Sequence, residues 1–103
     1  MAVAIDQDIL KKIQAYLKVL QTHRMYFESA WLFGSFAEDR ASEDSDIDIV
    51  VVMPEVKTKF FKEVELMRLR RTIDSRIEPH VLNAADMDSP FFREVMARGI
   101  KIA

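Results

Sequence analysis

Two aspartates separated by one apolar residue, Asp46-Ile47-Asp48, form the pattern in this chain best suited to do chemistry. In an extended strand, residues two apart project from one face, so both carboxylates point to one place while Ile47 and Ile49 turn into the core. Like charges held this close repel, and either a proton or a cation relieves the repulsion. Oxygen ligands of this kind suit magnesium, which takes one or two carboxylates and completes its shell with water and phosphate oxygens. Ten residues upstream, the apolar run Ala30 to Phe33 stops at Gly34-Ser35. A strand ending at Gly-Ser and entering a short helix presents backbone N–H groups that bind an anionic phosphate. Taken singly, an acidic strand face and a Gly-Ser turn are ordinary surface features. Together they set phosphate donors beside metal ligands.

The elements that must position these groups follow from hydrophobic periodicity. Ile9, Ile13, Tyr16, Leu17 and Leu20 recur at spacings of three and four, predicting a helix over Asp6 to Gln21. Ala30 to Phe33 reads as a buried strand, and Phe36 to Ala41 as a short helix after the turn. Asp46 to Met53, with its β-branched run Ile49 to Val52 and its stop at Pro54, reads as a strand buried on both faces. Thr58 to Ile73 is expected to be a second amphipathic helix, with Thr58 as N-cap and a basic face at Arg68, Arg70 and Arg71. Arg76 to Leu82 predicts a third strand. Pro79 places it at an edge or a bulge, parallel to Asp46–Met53 across the intervening helix. Ser89-Pro90 and Gly99 bracket a last helix, and Ile100 to Ala103 supplies a final short strand. The aromatic residues Trp31, Phe60, Phe61, Phe91 and Phe92 are assigned to the core. The predicted fold class is α/β (α+β), with a small mixed β-sheet of three to four strands flanked by helices.

Composition narrows the function classes. A chain of 103 residues, half of them hydrophobic, suits one domain over 1–103 with a single core. Fifteen basic and seventeen acidic residues leave a net charge of −2, which disfavours general nucleic-acid binding. With no cysteine there is no thiol nucleophile and no Cys-ligated zinc, which fits a reducing compartment. No stretch has the length of a membrane span, so a cytoplasmic location is expected.

The segment LFGSFAEDRASEDSDIDIVVV, residues 32–52, resembles the nucleotidyltransferases of the DNA polymerase beta superfamily, specifically the minimal nucleotidyltransferase (MNT) domains paired with HEPN proteins. The resemblance implies a nucleotidyltransferase fold and a triphosphate held by Gly34 and Ser35. Asp46 and Asp48 would hold two Mg2+ ions, with ATP as the substrate. It further implies a third carboxylate on a later strand, assigned to Glu78, with Asp74 as the fallback. The chain departs from the common pattern in carrying Glu38-Asp39 where many relatives have Arg-Gly. This places acidic charge near the phosphates, with Arg40 available to compensate. His80 shares the Glu78 face by period two. It reads as a structural histidine, or as a group that contacts substrate or supports a metal ligand.

On this reading the protein transfers a nucleoside monophosphate, AMP from ATP, to a hydroxyl of a partner HEPN toxin and so acts as an antitoxin, a tyrosine being a plausible target. The alternative is a catalytically silent domain that neutralises its partner by complex formation. A third reading, transfer to RNA ends or a small molecule such as an aminoglycoside, is disfavoured by the acidic balance and the lack of a second domain. Partner stoichiometry and self-association stay open.

Overall fold

Asp6 begins the first helix, α1 (Gln7–Thr22), by accepting from the N–H groups of Asp8 and Ile9. Those amides have no carbonyl partner within the helix, which is why an acidic residue is favoured there. The computed structural model describes residues 5–38, 40–42 and 44–103. Its remaining elements are β1 (Ser29–Phe33), β2 (Ile47–Met53), α2 (Lys59–Leu69), β3 (Ile77–Asn83), α3 (Pro90–Arg98) and β4 (Ile100–Lys101). The strands form one mixed sheet of order β3-β2-β1-β4. β1 runs antiparallel to β2 and β4, while β2 and β3 run parallel through α2.

Period-two alternation divides the sheet's side chains between two apolar layers. Ile47, Ile49 and Val51 join Ala30, Leu32, Ile77 and Val81 on the face covered by the α1 stripe. Val50, Val52 and Leu82 face the other way, against Phe92 and Val95 of α3 and the half-buried Trp31 and Phe33. β2 is thus buried on both sides, as its β-branched run predicts, except at Asp48. Asp48 lies on the α3 side of the sheet, and so do Glu78 and His80. Among the described residues, no helix is long and apolar enough to cross a membrane.

Several expectations are corrected. The predicted helix over Phe36 to Ala41 is a single 3₁₀ turn, Gly34–Phe36, and Asp39 lies outside the described residues. β2 starts at Ile47, so Asp46 precedes the strand. Thr58 occupies the N-cap position of α2, but its side chain makes no capping bond. Phe60 and Phe61 are 68% and 65% exposed, and Phe91 is also exposed; of the assigned aromatics, Phe92 is fully buried and Trp31 packs edge-on against it at 5.6 Å. The reason lies in where α2 sits. It packs along the β3 edge and turns Leu66 and Leu69 inward, with Ile73 just beyond its end, leaving Phe60, Val64 and Met67 on a second stripe that lines a groove against β3.

The same placement protects the outer edge of β3. Arg70 donates to the Ile77 carbonyl at 2.8 Å, and Glu63 accepts from the Val81 N–H at 2.8 Å. Between them stands Pro79, which has no N–H to offer. α2 is also tied to α1: the buried Tyr16 hydroxyl donates to the Leu66 carbonyl at 2.6 Å. The helix tightens into a 3₁₀ turn at Arg70–Thr72, and the Arg70 N–H points to Met67 and Arg68 rather than to Leu66.

A candidate metal and phosphate site

Parallel pairing of β2 with β3 sets Asp48 directly across from Glu78. Opposed residues in a ladder share a face, so two carboxylates that are thirty residues apart in sequence become neighbours. α3 covers the inner part of this face and leaves the outer end, at Asp48, Glu78 and His80, uncovered. Donor atoms of these three side chains lie within 4.8 Å of one another. Asp46, expected to share this face, stands just before β2, is exposed, and is not among the three side chains whose donor atoms gather. It is close enough to act on Glu78 electrostatically: burial, then the charges of Asp46 and Asp48, raise the Glu78 carboxyl above its usual range, opposed by His80.

β1 delivers the turn to the same place. Phe33, its last residue, pairs with Asp48, and the next residue, Gly34, has φ +74°. A β-carbon added to Gly34 would stand 2.6 Å from Asp48 Oδ2, so glycine is required both by the left-handed backbone and by the closeness of the carboxylate. Ser35 follows within the 3₁₀ turn, whose first N–H groups have no partner inside the turn. Sequence reasoning anticipated a tight turn at Gly34 but not its contact with Asp48.

His80 comes closer to the cluster than its structural reading implied. Its Nε2 is 3.5 Å from Asp48 Oδ1 and is buried without a hydrogen-bond partner. The edge of Phe33 holds the ring at 5.3 Å, and Phe33 in turn packs against Phe91 at 5.8 Å. Asp74, the fallback third ligand, is engaged elsewhere. Arg76 grips it through Nε at 3.1 Å and Nη2 at 2.9 Å, and Lys12 reaches it at 2.8 Å. The Arg76 hydrogen bonds, with Lys12, hold the Asp74 carboxyl well below the usual carboxylate range. Glu38 is charge-balanced by Arg40 at 2.7 Å and by Arg98 at 3.7 Å, so Arg40 makes the compensating contact anticipated for it.

The donor set fits a divalent cation. It combines hard oxygens from opposed strands, a carboxyl with raised proton affinity and an orphaned ring nitrogen facing the same point.

The fold is shared with proteins of known structure. A candidate nucleotidyltransferase of Sulfolobus solfataricus is 25% identical, with a TM-score of 0.61 over 78% of this chain and 71% of that one. A toxin–antitoxin structure with AMP-PNP is 22% identical, with a TM-score of 0.67 over 91% and 72% of the two chains. A complex of the tri-AMPylated Shewanella oneidensis HEPN toxin with its MNT antitoxin is 19% identical, with a TM-score of 0.63 over 92% and 71%. These likenesses establish the nucleotidyltransferase fold. No curated protein sequence matches the chain. Residues 11–103 match the family described as polymerase beta, nucleotidyltransferase, and the chain belongs to that family.

Proposed function

We propose that this protein transfers AMP from ATP to a hydroxyl of a partner protein of the HEPN type, acting as an antitoxin. The observation that carries this reading is the opposition of Asp48 and Glu78 beside the Gly34 turn, in a chain of the polymerase beta nucleotidyltransferase family. The fold shared with an MNT antitoxin in complex with an AMPylated HEPN toxin supports the choice of nucleotide and partner.

Asp46, Asp48 and Glu78 are the residues assigned to hold Mg2+, Asp46 from the segment just before β2. When bound, the cation supplies charge neutralisation for the phosphates in flight. The backbone N–H groups at Gly34 and Ser35, beside Asp48, would receive the triphosphate. In the transfer, the acceptor oxygen bonds to the α-phosphorus and the bond from that phosphorus to the leaving pyrophosphate breaks. The hydroxyl proton passes to Glu78, whose raised proton affinity suits it to accept one. The pairing of Glu38 with Arg40 and Arg98 lessens the repulsion that the Glu38-Asp39 departure would otherwise set against phosphate.

The deciding experiment incubates the protein with labelled ATP and Mg2+, with and without a co-encoded helical partner, and follows the intact mass of both chains. A gain of one AMP on the partner, lost in Asp46→Asn and Asp48→Asn, is the expected result. A tight complex that inhibits the partner without any mass change, and with all three carboxylates replaced, would establish the non-catalytic binding module instead.

A further inference from the structure

We propose that His80 supplies a nitrogen ligand to the cation held by Asp48 and Glu78, giving this site a preference for manganese-like ions over magnesium. The inference rests on the proposed reading of the carboxylates as a metal site.

Three observations converge on His80. Its Nε2 is buried and has no hydrogen-bond partner, although the side chain as a whole is 39% exposed, so the exposed part of the ring lies elsewhere. A buried polar atom left unpaired costs stability, and native structures rarely tolerate one without a reason. Its nearest charged neighbour is Asp48 Oδ1 at 3.5 Å, too long for a good hydrogen bond. That separation suits two ligands of one ion instead, since bonds of about 2.1 Å place ligand atoms roughly 3.0 to 4.2 Å apart. Donor atoms of Asp48, Glu78 and His80 all fall within 4.8 Å, which asks only a small closure around the ion.

The backbone sets this arrangement firmly. His80 follows Glu78 by two residues on β3 and lies diagonally across from Asp48 on β2, so all three side chains leave one face. Phe33, on β1, packs edge-on against the imidazole and limits the ring's rotation. An imidazole changes which ion binds best. Magnesium takes oxygen and keeps its waters, whereas nitrogen donors favour the later divalent metals in the order Mn2+, Fe2+, Co2+, Ni2+.

The test uses tag-free full chain with Mn2+ alone, without nucleotide, so that histidine is the only imidazole source. The chain has two histidines, and the other, His23, caps α1 with its Nδ1 3.0 Å from the Val19 carbonyl. Electron spin-echo spectra of bound Mn2+ should show an imidazole nitrogen coupling that changes to the 15N pattern when only histidine is labelled. His80→Gln should remove the coupling and lower the Mn2+ over Mg2+ affinity ratio by about tenfold, the lower end of what disturbed metal sites lose. Mn2+ bound in an Asp48-dependent manner without nitrogen coupling in the wild-type protein would overturn the proposal and leave the carboxylate site standing. Failure of the wild-type protein to bind Mn2+ at all would overturn both. The wild-type spectrum decides even if His80→Gln does not fold.

Discussion

Glu78 lies directly across the parallel ladder from Asp48, two carboxylates facing one another on the uncovered end of a sheet that is otherwise apolar there. Burial and the neighbouring charges of Asp46 and Asp48 raise the proton affinity of Glu78 on folding. A folded-state pKa above the unfolded value favours folding below the ordinary Glu range and loses that contribution as pH rises through the raised value. Once Glu78 is ionised, its charge beside Asp46 and Asp48 therefore costs stability. Glu78→Gln should raise the melting temperature of the metal-free protein, by a shift on the order of a few degrees for a domain of this size. The same variant should lose most of the stabilisation that Mg2+ gives the wild type. Scanning calorimetry with and without Mg2+ reads both effects, and a lowered metal-free melting temperature would contradict the repulsion.

Gly34→Ala should be costly on two counts. The left-handed backbone at φ +74° disfavours alanine by about 1–2 kcal/mol, and the new methyl would press on Asp48 Oδ2. We expect a reduced melting temperature together with weakened Mg2+-dependent nucleotide binding. A stability loss with unchanged binding would mean that Asp48 does not need its position against the turn.

Tyr16→Phe removes the hydroxyl that reaches the Leu66 carbonyl and leaves that buried acceptor without it. The expected loss is about 1–2 kcal/mol, read as a lower urea midpoint with an unchanged slope. Nucleotide binding should be unaffected, since this tether lies on the α1 side of the sheet, away from the carboxylates.

Asp74 is held ionised by Arg76 and Lys12, so its folded pKa is depressed. Its contribution is present above the ordinary Asp value of about 3.9 and disappears as pH falls below it. Asp74→Asn should cost about 1–2 kcal/mol at neutral pH. Its stability curve should approach that of the wild type as the solution is acidified through that range.

Much of this was legible in residue order because the informative patterns were local. The α1 stripe, the β-branched run of β2 and the Ser89-Pro90 start of α3 each carry their own signal within a few residues. Pro79 likewise announced an edge strand. What failed depended on long-range placement. Phe60 and Phe61 read as core because α2 carries two apolar stripes, and only its position over the sheet edge selects Leu66 and Leu69 for the inward side. Period two would set Arg76 beside Glu78 on one strand face, but Arg76 lies before β3 begins and is clamped on Asp74. The orphaned nitrogen of His80 depends on the ladder register with β2 and on Phe33 of a third strand, so nothing in the local sequence could have marked it.

The shielding of the β3 edge by Arg70, Pro79 and Glu63 also restricts how another protein can recognise this one. Main-chain hydrogen bonding would accept any extended peptide, whatever its sequence, and along Ile77 to Val81 that promiscuous route is obstructed. A partner arriving on this side must instead match particular side chains, among them the exposed Phe60 and Met67 that border the groove beside Glu78 and His80. Selectivity on this flank is thereby moved from the backbone, which every protein shares, to a surface that can be tuned residue by residue.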